Sequence, residues 1–242
     1  MRIWPVAGKL FPGARAVIEG ADARHITGVL RMGPGDVIRI SDETARSFVA
    51  ILEETAKNRV SITVVRPAET AQMKKPDVLL AVAISKAPVM ELIAQKAVEL
   101  GCAGFYPLVT QRAVGETVSP AKLERLRRIA HEACKQCGRG ELMPVSAPVF
   151  PDGLPEADLK ILLWEKETGI SLKSALGNSG NVERVLLVVG PAGGFSPDEA
   201  QMFREKGFVT AGLGPLVLRT ETAALALLTV AGYHFGKLED GQ

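Results

Sequence analysis

The stretch GLGPLVLRTETAALALLTVAGYHF, residues 212–235, decides how the rest of the chain is interpreted. Three turn-forming residues open it, a short apolar run follows, and four polar residues, Arg219–Thr222, separate that run from a second one. The second run has almost no polar face, which predicts a helix buried on most sides in a core or a subunit interface. Thr220 is the expected N-cap of this helix, with Glu221 in its first turn.

Arg219 is not explained by helix capping. A cation at a helix N-terminus opposes the helix dipole, so an arginine at such a place usually has an anionic partner. The candidates are Glu221, in the first turn of the same helix, and a bound ligand. The stretch therefore predicts a helix start that also borders a binding site.

The composition is that of a globular protein without a strong charge bias. The chain has 242 residues, 47% of them hydrophobic, which is enough for one large domain or two modest ones. The net charge of +2 does not by itself indicate a polyanionic partner. Residues 1–75 carry twelve Lys and Arg against eight Asp and Glu, a net charge of +4. This excess of positive charge is weak support for a basic surface that faces a polyanion. Chance variation in so few charged residues explains it equally well.

Cysteine usage and hydropathy indicate a soluble, cytoplasmic protein with no membrane partner. An odd number of cysteines, three, argues against a secreted disulfide framework. The N-terminus has no apolar run long enough for a signal peptide. No stretch approaches a membrane-spanning helix without glycine or charge.

One helical segment carries residue types that bind metals, but the sequence does not predict a metal site there. His131, Cys134 and Cys137 share one helical face, but a zinc site needs a fourth ligand, and none follows at a suitable spacing. A redox-active cysteine pair is expected at the N-terminus of a helix, whereas this pair is near a C-terminus. We therefore expect packing cysteines and no metal. His234 is expected to be buried or in an interface.

Residues 1–70 are typical of a small β-barrel domain, because short segments alternate apolar and polar residues like half-buried strands. Residues 22–36 predict one small helix closed by the turn Gly33–Gly35. The segment Pro67–Pro76 is short, polar and bounded by proline, which is typical of a linker to a second domain over 75–242. The strand segments of the first domain are at 36–41, 47–54 and 59–66.

The second part of the chain alternates near-continuous apolar strands with helices. This pattern is typical of an α/β domain with a parallel sheet covered on both faces. Ser119 is the expected N-cap of one helix, with Gly138 as its stop, and Ser196 with Glu199 forms a capping box at another. The predicted strands are at 78–85, 104–110, 159–167, 184–191 and 208–214, and the predicted helices at 88–101, 119–138, 196–207 and in the last part of the opening stretch.

Three loops follow strands at the carboxyl edge of this sheet, where such sheets bind ligands. They are residues 162–169 (the first loop), 188–199 (the second loop) and 213–222 (the third loop). The glycine spacing of the second loop fits neither a P-loop nor a dinucleotide fingerprint, and the next helix opens with acids that repel phosphate. A ligand without phosphate is favoured, and a plain tight turn remains the alternative for this loop alone.

Six motifs follow one another along the chain: ARHITGVLRMGPGD, MELIAQKAVELG, TQRAV, HEACKQCGR, VGPAGGFSPDE and LGPLVLRTETA. Together they resemble the RsmE family of bacterial ribosomal RNA methyltransferases, within the SPOUT superfamily. Each motif is weak alone, but their order and spacing match the family over nearly the whole chain.

The resemblance implies an α/β fold with a SPOUT-type parallel sheet and a C-terminal trefoil knot, preceded by a PUA-like β-barrel that positions RNA. It implies S-adenosyl-L-methionine as the cofactor, a homodimer, and methylation of a uridine N3 in 16S ribosomal RNA, either free or in the assembled small ribosomal subunit. Two positions depart from the family pattern: Ala192 stands where members usually carry Glu, and Leu216 where they often carry a basic residue. A catalytically weakened RNA-binding protein of the same fold is therefore the alternative, and a dinucleotide-dependent enzyme is a third hypothesis.

The cofactor has no phosphate, and backbone groups of glycine- and proline-rich loops suit its adenine edges. Glu165 is expected to meet its ribose or amino group, with a solvated strand end as the alternative. The expected cofactor-binding residues are Leu163, Glu165, Val189, Gly190, Pro191, Gly193, Gly194, Leu213, Gly214, Leu216, Leu218 and Thr220.

Methyl transfer to uracil N3 needs alignment of the reacting atoms and loss of the N3 proton. Arg112, Arg139 and Arg219 are candidates for stabilising the uracil anion, and Glu221 and Glu132 for accepting the proton. A salt bridge on its own helix is favoured for Glu132. The expected catalytic residues are therefore Arg112, Arg219 and Glu221.

Basic residues of the N-terminal domain suit phosphate contacts, which anchor RNA without recognising its sequence. A generic solvated basic face is the alternative. The expected RNA-binding residues are Arg15, Arg24, His25, Arg31, Lys86 and Arg139.

Overall fold

The computed structural model describes residues 3–44, 46–68, 75–113, 117–177 and 180–238. The chain divides into two compact units. The first unit is Met1–Gln72 with Cys134–Leu142, and the second is Met73–Ala133 with Met143–Gln242. Most of the predicted linker, residues 69–74, lies outside the described residues.

The first unit is built on one five-stranded sheet in the order β1-β3-β4-β5-β2. Only β1 and β3 pair in parallel. The three predicted strands are confirmed as β3, β4 and β5, whereas β1 and β2 were not predicted. Because β1 and β2 are unpaired edges among the described strands, the small β-barrel that we expected is a curled half-barrel that does not close. The strands are β1 (Ile3–Pro5), β2 (Arg15–Glu19), β3 (Val37–Ser41), β4 (Ser47–Ala56) and β5 (Arg59–Pro67).

The predicted helix of the first unit is shorter than expected and irregular. An α-helix, α1 (Gly20–Arg24), continues as a π-helical turn over His25–Val29. The amide of Leu30 donates to the carbonyl of His25 at 2.9 Å. The helix ends before the predicted Gly33 stop, because Arg31 adopts a left-handed backbone with φ of 55°.

The second unit contains a five-stranded, fully parallel sheet in the order β10-β8-β9-β6-β7, which confirms the predicted α/β class. β6 lies between β9 and β7, and six of its seven residues are buried, as expected for a strand covered on both faces. The strands are β6 (Asp77–Ala83), β7 (Gly104–Leu108), β8 (Leu159–Leu163), β9 (Arg184–Val189) and β10 (Val209–Ala211).

Helices cover this sheet, and most of their ends match the sequence signals. The capping box of Ser196 and Glu199 is formed. A short helix, α4, was not predicted. The helices are α2 (Ala87–Glu99), α3 (Pro120–Cys137), α4 (Leu172–Gly177), α5 (Pro197–Glu205) and α6 (Thr220–His234), with a 3-10 turn at Pro151–Gly153.

α6, the helix of the opening stretch, differs from expectation at both ends. Its N-cap is Arg219, not Thr220, because Thr220 is already helical and its hydroxyl donates to the carbonyl of Gly190 at 3.3 Å. The helix packs against α2, β6 and β9. His234, expected to be buried or in an interface, is exposed in the single chain together with Tyr233.

Among the described residues, no helix combines the length and the apolar character needed to cross a membrane.

Candidate functional site

The carboxyl ends of β8 and β9 and the segment after β10 border one cleft of the second unit. The cleft is open to solvent and measures about 620 Å³ when the solvent space at its mouth is counted. The three predicted loops converge on it. The lining residues are Leu163, Trp164, Glu165, Val189, Gly190, Pro191, Gly194, Gly212, Leu213, Gly214, Pro215, Leu216, Val217, Leu218, Thr220 and Ala223.

Eleven of the twelve expected cofactor-binding residues line this cleft. Gly193 is the exception, and its carbonyl accepts a hydrogen bond from Arg112. The sequence reasoning missed five lining residues. Gly212 and Pro215 could have been found from the turn signals of the opening stretch. The others are Trp164, Val217 and Ala223.

The first loop is held in place by Trp164. Its amide donates to the carbonyl of Ala211 at 3.0 Å, which ties the end of β8 to the end of β10. Its indole Nε1 donates to the carbonyl of Phe195 at 3.2 Å, which ties the first loop to the second. The guanidinium of Arg204 lies 5.2 Å from the centre of the indole ring. Trp164 therefore fixes the spacing between all three walls of the cleft.

Glu167 is a second anchor of the first loop, and nothing in the sequence indicated its role. Its carboxylate accepts the hydroxyl of Thr210 at 2.6 Å and the guanidinium of Arg204 at 3.0 Å. Its other oxygen accepts the amides of Gly169 and Ile170. The hydrogen bond from Thr210, followed by the two amides and Arg204, lowers the pKa of Glu167 although burial opposes the shift.

Gly212 lies where the third loop passes closest to the first. A Cβ there would lie 2.6 Å from the backbone oxygen of Glu167. The amide of Gly212 donates to the carbonyl of Ile170 at 2.8 Å, and its own carbonyl accepts from Leu172 at 2.9 Å. Only glycine allows these two backbone segments to approach this closely.

The second loop turns sharply beside a carboxylate. The amide of Gly194 donates to the carbonyl of Pro191 at 2.8 Å, and Gly194 has a φ of 65°. A Cβ at Gly194 would collide with the carboxylate of Glu165. The acidic group of Glu165 is therefore pressed against the backbone of the second loop at the edge of the cleft.

The third loop gives the cleft an apolar rim. Leu216 is 75% exposed and Val217 is 82% exposed, although both line the cleft. Large apolar side chains at the mouth of a pocket are typical of a surface that a ligand or partner covers.

The three expected catalytic residues flank the cleft without lining it. Arg112 is exposed, and its Nη1 donates to the carbonyl of Gly193 at 2.6 Å. Arg219 is exposed and Glu221 half-buried, on either side of Thr220. Within the described residues, the Arg219 side chain has no hydrogen bond or ion pair, so of its two candidate partners Glu221 is not engaged, and a bound ligand remains.

The residues expected to contact RNA fall into different environments. Arg15, Arg24 and Arg31 are exposed on the first unit. His25 is half-buried, with its ring centre 5.5 Å from that of Trp4. Arg139 is only 6% exposed, so it is not on a surface that RNA could reach.

Lys86 is exposed at the N-cap of α2 in the second unit. Glu132, the other candidate proton acceptor, is exposed on α3, and Cys134 on the same helix is buried. In the described ranges, no group of three His, Cys, Asp or Glu side chains could hold a metal ion.

Comparison with known proteins assigns most of the chain to one family. A family model described as an RNA methyltransferase domain matches residues 72–232, and one described as an RNA methyltransferase PUA domain matches 18–65. Ribosomal RNA small subunit methyltransferase E of Bacillus subtilis (strain 168) is 31% identical over 236 residues, covering 93% of this chain and 92% of the relative. The chain belongs to the ribosomal RNA small subunit methyltransferase E family.

One further relative and two solved structures extend the comparison. The protein of that name from Aquifex aeolicus (strain VF5) is 32% identical over 185 residues, covering 76% of this chain and 80% of the relative. The crystal structure of the Neisseria gonorrhoeae member bound to S-adenosyl methionine has a TM-score of 0.77 and 26% identity, over 96% of this chain and 97% of that one. The structure of a Legionella pneumophila protein with the bound cofactor SAM has a TM-score of 0.76 and 30% sequence identity, covering 96% of this chain and 98% of that one. The resemblance identified from the six motifs is thereby confirmed.

Proposed function

We propose that this protein binds S-adenosylmethionine in the three-loop cleft and transfers its methyl group to N3 of a uridine in 16S ribosomal RNA of the small ribosomal subunit. The observation that carries the proposal is the convergence of the three carboxyl-edge loops on one cleft, in a chain of the methyltransferase E family. The solved relatives that hold the cofactor support the choice of ligand.

The lining of the cleft fits this cofactor. Backbone amides and carbonyls of the glycine- and proline-rich loops that line the cleft suit an adenine edge. Leu163, Val189 and Leu218 supply apolar walls. The carboxylate of Glu165 suits the positively charged amino group or a ribose hydroxyl. When bound, the cofactor supplies an electrophilic methyl group.

The flanking residues supply what the target base needs. Uracil N3 must lose its proton, and Glu221 is the proposed acceptor. Arg112 and Arg219 stabilise the negative charge that develops on the base. Arg219 suits this role because its guanidinium has no protein partner in the described part of the chain and lies at a positive helix end, where an anion is stabilised.

The first unit positions the RNA in this proposal. The exposed guanidinium groups of Arg15, Arg24 and Arg31 contact phosphates, with His25 beside them and Lys86 on the second unit. The match of residues 18–65 to an RNA methyltransferase PUA domain supports this assignment. The knotted course of the last loops, the homodimer and the cytoplasmic location belong to the same proposal. The exposed Val230 and Tyr233 on α6 suit a subunit contact.

The alternative of a weakened RNA-binding protein depends on Ala192. This residue is exposed on the second loop and does not line the cleft, so the loss of a carboxylate there leaves the walls intact. Leu216 does line the cleft, on its rim. The cleft therefore favours an active enzyme over a protein that only binds RNA.

Methyl transfer to purified small ribosomal subunits tests the proposal. Isotope-labelled S-adenosylmethionine is incubated with subunits that lack the modification and with free 16S RNA, and the product nucleotide is mapped by mass spectrometry. The expected product is N3-methyluridine at one site. Absence of incorporation, or a methyl group on a ribose, contradicts the proposed chemistry.

A further inference from the structure

Glu199 makes more contacts than the capping of α5 requires. In the capping box, the amide of Glu199 donates to Ser196 Oγ at 3.1 Å, and Glu199 Oε2 accepts the amide of Ser196 at 2.9 Å. One carboxylate oxygen completes this motif. Yet Glu199 is only 3% exposed, and burying a carboxylate is costly unless all of its oxygens find donors.

The second oxygen of Glu199 reaches a different part of the sheet. Glu199 Oε1 accepts the backbone amide of Gln111 at 2.8 Å, in the segment that follows β7. The hydroxyl of Ser196 donates to the side-chain oxygen of Gln111 at 3.2 Å. Two hydrogen bonds therefore fasten this segment to the first turn of α5, across 88 and 85 positions of sequence.

The residue after Gln111 is Arg112, and its guanidinium completes a ring of contacts. Arg112 Nη1 donates to the carbonyl of Gly193 in the second loop. Glu199 holds Ser196, three residues further along the same loop. A Cβ at Gly193 would lie 3.7 Å from Arg112 Cδ, so the arginine chain rests on the glycine backbone. The backbone of Gln111, directly before Arg112, and the guanidinium of Arg112 are thereby both fastened to the second loop and the first turn of α5.

We infer that Glu199 is a positioning residue, which sets Arg112 at the rim of the cleft by holding the backbone of Gln111 and the second loop with its two oxygens. The inference deepens the proposed function, because Arg112 is the residue proposed to meet the target base. It also means that the loop bordering the cofactor and the segment carrying Arg112 move as one body.

Glu199→Gln tests the inference, because an amide offers one acceptor oxygen where the carboxylate offers two. Asp198→Asn is the matched control, since Asp198 is an exposed acid in the same turn and loses the same charge without a contact to Gln111. The first measurement is amide hydrogen exchange, which needs no substrate. Glu199→Gln is expected to raise exchange at 109–113 and 190–196 well above wild type, and Asp198→Asn to leave it unchanged.

The second measurement is a double-mutant cycle with Arg112→Ala on methyl transfer. Glu199→Gln is expected to lower kcat/KM about 10- to 100-fold through misplacement of Arg112. The dissociation constant for S-adenosylmethionine is expected to rise by a smaller factor, because the second loop also borders the cofactor cleft. The double variant is expected to be no slower than Arg112→Ala, because two changes on one contact path are not additive. Should Glu199→Gln fail to fold, Glu199→Asp keeps the charge but shortens the reach to Gln111, and the same results are expected.

Several results would overturn the inference. Unchanged exchange at 109–113 in Glu199→Gln, equal effects of Asp198→Asn, multiplicative losses in the double variant, or a wild-type rate for Arg112→Ala would each do so. Failure of the proposed function is recognised separately: a wild-type protein that transfers no methyl group contradicts that function, while the exchange measurement still decides whether Glu199 holds the Arg112 segment.

Discussion

Gly212 shows how one residue type decides whether the cleft exists. Gly212, just before the third loop, lies so close to the carbonyl of Glu167 that a Cβ would be 2.6 Å from it. Glu167 is itself fastened by the hydrogen bonds that its carboxylate accepts from Gly169 and Thr210. We expect Gly212→Ala to lower the free energy of unfolding by about 2–4 kcal/mol. Gly177→Ala is the control, because a Cβ there meets nothing within 4 Å. Urea denaturation followed by circular dichroism measures both, and equal stability of the two variants would contradict the close approach.

Glu167 gives the first loop a stability that depends on pH. Its pKa in the folded protein is lowered, chiefly by the Thr210 hydroxyl, so the ionised carboxylate binds its partners better than the protonated one. The resulting stability is present above the ordinary glutamate pKa of 4.5 and is lost as the pH falls through the lowered value. We expect wild type to be more stable than Glu167→Gln at pH 6 and the difference to shrink by pH 3. A difference that stays constant across this range, measured by urea denaturation, would contradict the role of Glu167.

At the scale of elements, the start of α6 combines a structural and a chemical task. Arg219 occupies the N-cap without a side-chain capping bond, and its cation opposes the helix dipole. Arg219→Ala is therefore expected to change the unfolding free energy by less than about 0.5 kcal/mol, while lowering kcat for methyl transfer at least about 100-fold. Thermal unfolding and single-turnover kinetics measure the two effects. Full turnover in this variant would remove Arg219 from the reaction.

Sequence patterns predicted the long elements well and the short ones poorly. β6 and β9 are continuous apolar segments, and α3 and α5 begin with clear N-capping residues. These elements could therefore be predicted from neighbouring residues alone. β1 has three residues and α4 has six, which is too short for a period to be recognised. The N-cap of α6 was misplaced because a contact with Gly190, 30 positions away, engages the Thr220 hydroxyl.

The same limit applies to the candidate site. The loops were found because glycine and proline cluster after apolar strands, and eleven of twelve expected residues line one cleft. Glu167 and Glu199 were not recognised as anchors, since their partners Thr210 and Gln111 lie 43 and 88 positions away. Such contacts exist only once the sheet has formed.

For the whole molecule, the proposal separates RNA anchoring in the first unit from chemistry in the second. The double variant Arg24→Ala, Arg31→Ala is expected to bind RNA more weakly, because two phosphate contacts are lost. The slope of log affinity against log salt concentration is expected to become shallower by roughly 1–2. Affinity for S-adenosylmethionine is expected to stay the same. Arg59→Ala, another exposed arginine of the first unit, is the control. An unchanged salt slope in the double variant would show that these arginines do not contact phosphate.

Titration calorimetry of S-adenosylmethionine tests most directly whether the three loops form a site for the methyl donor. The protein is expected to bind one equivalent per chain, NAD is expected to produce no binding heat, and binding is expected to be lost in Gly212→Ala and retained in Gly177→Ala. The absence of S-adenosylmethionine binding by the folded wild-type protein, or wild-type affinity in Gly212→Ala, would contradict the account.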